Sequence, residues 1–163
     1  MILEIELDYL EIGGPGILVA ACRHGTDALT LTIWSIDSPE HITYKCQLDF
    51  TGTRFDVSIA LNYISVVVEE PHIQATTIHF ISTSTFTYQC QLDFTGEGVR
   101  LYTDLNYIYI SIEKWQDQQQ PDTIHFISTK TLEIERSLST RGYKPAFYLD
   151  GILVLSNEDD CFW

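Results

Sequence analysis

Three separate strings in this chain recur at nearly one spacing, and that spacing limits what the chain can fold into. The nonapeptide Tyr44-Lys-Cys-Gln-Leu-Asp-Phe-Thr-Gly52 returns as Tyr88-Gln-Cys-Gln-Leu-Asp-Phe-Thr-Gly96, identical at eight of nine positions and 44 residues on. Thr77-Ile-His-Phe-Ile-Ser-Thr83 returns unchanged at 123–129, 46 residues on. Leu61-Asn-Tyr-Ile64 returns at 105–108, and more loosely as Leu149-Asp-Gly-Ile152. A chain that repeats in this way is an array of one supersecondary unit, each copy burying its apolar faces against its neighbours.

The unit reads most clearly in the copy at 55–98. Residues 55–61 alternate apolar with small or polar side chains, the two-residue period of a strand. Asn62-Tyr63 is expected to turn the chain, where the fourth copy has Asp150-Gly151, a strong two-residue hairpin signal. Residues 63–68 are β-branched and nearly continuous, as a strand covered on both faces should be. A polar, Pro-containing loop at 69–75 leads to a third strand at 76–81, a Ser/Thr turn at 82–85 and a fourth strand at 86–94. The other copies follow suit, with strands expected at 16–21, 29–36 and 42–50, at 99–105, 107–113, 123–128 and 132–138, and at 146–149 and 152–156. Residues 1–12 supply one strand, or the end of one unit and the start of the next. No window carries a helical period with a cap, so the class is all-β with almost no helix. Four short antiparallel strands per repeat of this length describe a β-propeller blade. The chain holds about three and a half to four of them, at approximately 1–54, 55–98, 99–143 and an incomplete 144–163, in one domain.

Composition bounds the partners. Nine Lys plus Arg against 23 Asp plus Glu leave a formal charge of −14, which repels polyphosphate and argues against nucleic acid and anionic membrane. The acidic amino terminus lacks the basic region of a signal peptide, and no apolar run spans a bilayer. Cys46 and Cys90 are repeat equivalents, too far apart in neighbouring blades to bridge, so all four cysteines are expected to be reduced and the home cytoplasmic or nuclear.

Thr32-Ile-Trp-Ser-Ile-Asp37 and Thr77-Ile-His-Phe-Ile-Ser82 resemble the closing string of WD40-type repeats, in which Thr-Ile precedes a strand ending in Trp-Asp. The chain looks like a degenerate WD40-like array. Its Leu-Val-Ala-Ala run and variable loops between second and third strands are similar to the propeller region of some fungal F-box-type proteins. No Gly-His opens a blade and no Trp-Asp closes one, so the family's buried polar network does not carry over. The resemblance implies a protein-interaction scaffold. Propellers have roughly 4 to 8 blades, so three outcomes stand: self-closure as a four-blade ring, two half-rings pairing as a homo-oligomer, or closure by a further segment. Closure by another chain or segment is the expectation.

Chemistry is harder to find. Gly-x-Ser-x-Gly, the phosphate-cradling Gly-x-x-x-x-Gly-Lys, His-Glu-x-x-His and Cys-x-x-Cys are all absent, so no catalytic residue, metal ligand or cofactor is expected. His79 and His125 are repeat equivalents, explained by one strand position used twice. Asp49 and Asp93 are also equivalents; they are either a row of carboxylates for a cation or basic peptide, or turn residues bonding nearby amides. Tyr63 and Tyr107 open equivalent strands, as anchors for a partner or as core between blades. Trp115, in the polar loop Lys114-Trp-Gln-Asp-Gln-Gln-Gln-Pro121, where no core need explains a large aromatic, is either a recognition residue, the one most worth testing, or a cap on the blade edge. A lectin-like propeller is the alternative to the scaffold, and an enzyme with a channel site a third possibility. The divergent loops on a faithful frame favour partner recognition.

Overall fold

Strand pairing repeats as regularly as the sequence does. The computed structural model describes residues 9–13, 16–38, 40–60, 62–113, 123–140, 144–149 and 152–156, and the chain is all-β throughout them. Sheet 1 comprises β1 (Tyr9–Gly13), β2 (Ile17–His24), β3 (Ala28–Ser38) and β4 (His41–Thr51). Sheet 2 comprises β5 (Arg54–Ala60), β6 (Tyr63–Glu70), β7 (Ala75–Ser82) and β8 (Tyr88–Thr95). Sheet 3 comprises β9 (Glu97–Thr103), β10 (Tyr107–Glu113), β11 (Thr123–Ser128) and β12 (Ile134–Ser139). β13 (Lys144–Leu149) and β14 (Ile152–Ser156) form a two-stranded fourth sheet. Each four-stranded sheet pairs its strands in chain order. The only helical element among the described residues is a 3-10 turn at Pro71–Ile73, closed by Gln74 in the left-handed region. No helix among them is long and apolar enough to cross a membrane.

The chain divides into two compact units, Met1–Phe94 and Thr95–Trp163. In the first, sheets 1 and 2 stack face to face. Val19, Ala21, Leu29, Leu31, Ile33 and Phe50 of sheet 1 pack against Val57, Ile64, Val66, Val68 and Ile81 of sheet 2. Period two makes this possible: in sheet 2 every second residue points at sheet 1, while Val67, Ile78, Phe80 and Phe94 are buried on the opposite face. A strand buried on both sides reads as an unbroken apolar run, and β6 is one. In the second unit Tyr109, Ile124 and Phe126 form a cluster on one face of sheet 3, and Ile108, Ile110, Ile112 and Ile127 are buried on the other.

Three details differ from the sequence expectation. The β5–β6 hairpin pairs Ala60 with Tyr63, so of the expected Asn62-Tyr63 turn only Asn62 lies outside the strands, and β6 begins at Tyr63 as the strand expected at 63–68 does. Phe86 and Leu132, expected to open fourth strands, instead hold left-handed φ of 56° in equivalent turns. There Phe86 N donates to Ser82 O and Leu132 N to Ser128 O, both at 2.9 Å. A non-glycine residue is strained in that region, and burial offsets the cost: Leu132 is buried and Phe86 packs on the sheet 1–sheet 2 core. Finally, β3 and β4 run to Ser38 and His41, which pair directly across a two-residue connection. This first hairpin is therefore longer than its equivalents and lacks their turn.

Candidate functional site

The repeated tyrosines occupy one local environment. Tyr63 stands edge-on to Phe80 with centroids 6.1 Å apart, and Tyr107 stands edge-on to the equivalent Phe126 at 6.4 Å. Both are half-buried, each packed on its phenylalanine. The Tyr107 hydroxyl donates to Glu135 at 3.0 Å, and that hydrogen bond to a carboxylate is the first cause raising its pKa. Burial raises that of Tyr63. Beside Tyr107, the Asp104 carboxylate accepts from the backbone N–H of Asn106 at 2.7 Å and of Tyr107 at 2.6 Å, and from the Tyr109 hydroxyl at 3.0 Å. This Asx-type turn fixes where the β9–β10 hairpin delivers Tyr107.

Asp49 and Asp93 lie within fourth strands, and their carboxylates take bonds from a neighbouring strand. Thr30 Oγ1 donates to Asp49 at 2.7 Å, and Thr77 Oγ1 donates to Asp93 at 2.8 Å. Both carboxylates are exposed. Each pair ties a third strand to a fourth within one sheet, an interaction that period and spacing do not show. Trp115 lies outside the described residues.

His79 is placed between sheets. Its ring lies 4.8 Å from that of Phe50 across the stack, and Nδ1 is 3.2 Å from the Tyr88 hydroxyl. Burial holds its pKa below the usual 6.5, with nearby Asp93 pulling the other way. A depressed histidine favours the neutral ring in the folded state, so the fold binds fewer protons than the unfolded chain below the ordinary pKa. The stabilisation is complete above pH 6.5 and declines as pH falls through it. We expect His79→Gln to remove that part of the acid sensitivity, read as unfolding free energy by urea titration at neutral and mildly acidic pH. An unchanged pH slope would contradict the burial of His79 at this interface. The equivalent His125 bonds Ser137 at 2.8 Å.

Among the described residues no group of three His, Cys, Asp or Glu side chains is placed to hold a metal ion. Cys46 and Cys90 are thiols whose pKa values burial raises, the opposite of an activated nucleophile.

What the sheets do offer is apolar surface at their outer edges. Of the seven large apolar side chains left exposed among the described residues, five lie on fourth strands: Ile42 and Tyr44 on β4, Tyr88 on β8, Ile134 and Leu138 on β12. A β-bulge explains the first two. Ile33 pairs with Cys46 but Trp34 with Tyr44, so Lys45 is the extra residue and its Nζ sits 5.4 Å over the Phe86 ring, on the sheet 2 side. The alternation flips at the bulge, turning Tyr44 and Ile42 to the other face. Sequence alternation alone places 42, 44, 46, 48 and 50 on one side, which is why these two were missed. No protein-family model matches the chain, and no curated protein sequence matches it.

Proposed function

We propose that this chain is a propeller-type, non-enzymatic scaffold that binds another protein along the outer strands and loops of its sheets. The observation that carries this is the concentration of exposed apolar side chains on fourth strands. Among the described residues those strands end each four-stranded sheet with no further strand beyond them, the geometry by which an extended segment of a partner adds to a sheet. The three four-stranded meanders, each formed from one repeat, support the blade reading and with it the WD40-like resemblance. Packing positions repeated from copy to copy, with differing loops between second and third strands, suit recognition better than chemistry. Tyr63, Tyr107, Asp49, Asp93 and Trp115 stand as accessory contacts in this proposal, with a protein partner, a homo-oligomeric or segment-supplied closure, and a cytoplasmic or nuclear setting.

The test is site-specific photo-crosslinking from positions 88 and 138, followed by titration of the purified crosslinked partner. Saturable binding that weakens about tenfold or more in Ile134→Ser/Leu138→Ser or Tyr88→Ser supports the scaffold. Binding that is indifferent to all three substitutions, or saturable binding to an oligosaccharide panel in place of a polypeptide, overturns it in favour of another surface or the lectin-like alternative.

A further inference from the structure

Exposed strand positions cost a fold little to change, yet in the repeated nonapeptide they are the same in both copies. Tyr44, Gln47 and Asp49 of β4 and Tyr88, Gln91 and Asp93 of β8 are all exposed. Buried positions of the same two repeats differ instead. With the Thr30–Asp49 and Thr77–Asp93 hydrogen bonds aligned, Ala20, Ala21 and Ile33 stand where the second repeat has Val66, Val67 and Phe80. Packing therefore does not account for the identity of the two edges.

The three side chains line one face of each strand. Asp49, Gln47 and Tyr44 pair with Thr30, Thr32 and Trp34, which alternate with the core residues Leu29, Leu31 and Ile33. In β8 the Tyr88 hydroxyl donates to Gln91 Oε1 at 3.4 Å, and Gln91 Nε2 donates to Asp93 Oδ1 at 3.4 Å. Side chains an odd number of residues apart share a face only where a strand carries an extra residue, as β4 does at Lys45. Thr30 and Thr77 each hold Oδ1 of their aspartate. Among the described residues neither carboxylate receives a hydrogen bond from a cationic side chain.

We propose that β4 and β8 are two copies of one docking edge, each adding an extended segment of a protein partner in antiparallel pairing. A Lys or Arg of that segment stands opposite Asp49 or Asp93, and an aromatic residue four positions later stands opposite Tyr44 or Tyr88. Backbone hydrogen bonds supply affinity in such strand addition, and alternate side chains supply selectivity. Residues on one face of a regular strand lie an even number apart, so four positions in the segment match five in the bulged edge. Charge decides the occupant. Exposed aspartates on a chain of net charge −14 favour a basic segment and reject an acidic one. In β12 the register places Ile134, Ser137 and Ser139 where β4 and β8 have Tyr, Gln and Asp, so that edge does not take this segment. The proposal rests on the scaffold reading above and specifies its partner.

The experiment is isothermal titration calorimetry of the purified chain with a synthetic peptide, Ser-Thr-Val-Lys-Val-Thr-Val-Phe-Val-Thr-Ser, blocked at both ends. Two equivalent sites per chain are expected, with weaker binding at higher salt. A peptide with Glu in place of Lys should bind about tenfold more weakly or worse. In Asp49→Lys/Asp93→Lys, checked for its fold by circular dichroism, that preference should reverse. Asp49→Lys alone should keep one site for the Lys peptide, and Ile134→Ser/Leu138→Ser should bind it like wild type. Absence of saturable binding overturns the proposal, as does equal binding of the two peptides to wild type. A crosslinked partner that binds while the Lys peptide does not would sink this inference alone and leave the scaffold standing.

Discussion

Phe80→Ala is expected to lower the unfolding free energy by about 3–5 kcal/mol, the largest effect of any single truncation among the described residues. Phe80 is 0% exposed and is the bulkiest of the fully buried side chains among the described residues. It lies in β7 on the same face as buried Ile78 and Val67, with the Tyr63 ring nearly perpendicular to its own. A ring removed from such a place loses its transfer free energy and leaves a cavity that β-sheet neighbours, held in register by ladder hydrogen bonds, collapse into poorly. The cost should appear as a lower urea midpoint with little change in slope. Ile73→Ala makes the contrast: that side chain is 73% exposed on the 3-10 turn, and its loss should fall within about 0.5 kcal/mol of zero. Similar losses for the two variants would mean that β7 does not run through the centre of sheet 2.

Gly52→Ala is the second large effect, and the smallest chemical change to produce one. A Cβ at residue 52 would lie 2.1 Å from Val68 Cγ1 and 3.6 Å from Phe55 Cε1. Neither side can yield easily. Gly52 N is bonded to Asp27 O at 2.9 Å, and Val68 is β-branched, buried and part of the core between sheets 1 and 2. Overpacking of this kind costs about 2–3 kcal/mol. The mechanism makes a sharper demand than the magnitude. Val68→Ala deletes the atom that clashes, so the double variant should lose at least about 1 kcal/mol less than the sum of the singles. Additive losses would show that Gly52 is needed for its backbone and not for the close approach of β6. Gly52 also closes the repeated nonapeptide, and this contact gives a packing reason for a glycine there.

Much of this frame was legible before any coordinates, because recurrence and period two are direct consequences of stacking like sheets. The strand at 107–113 was read from sequence to the residue, as were those at 123–128 and 152–156. What escaped was local geometry that leaves no mark on periodicity. Phe86 and Leu132 in the left-handed region look like strand residues because they are apolar and sit between polar neighbours. The bulge at Lys45 preserves an unbroken alternation from Ile42 to Phe50 while moving its first members to the other face. The candidate site was legible to a lesser degree. Tyr63 and Tyr107 were identifiable as one position used twice, and the structure adds the phenylalanine each one packs on. The threonines that bind Asp49 and Asp93 were not, since 19 residues separate one pair and 16 the other, and only strand register aligns them.

The account of the first unit depends on sheets 1 and 2 stacking face to face. The most direct measurement is a nuclear Overhauser spectrum of ring protons in the native protein, with assignments at Phe50 and His79. These residues belong to different repeats, and their ring centroids are 4.8 Å apart. The account predicts clear cross-peaks between the two rings and a His79 that titrates below the ordinary histidine range. No cross-peak, together with a His79 that titrates like a solvent-exposed histidine, would contradict the stacking and everything built on it.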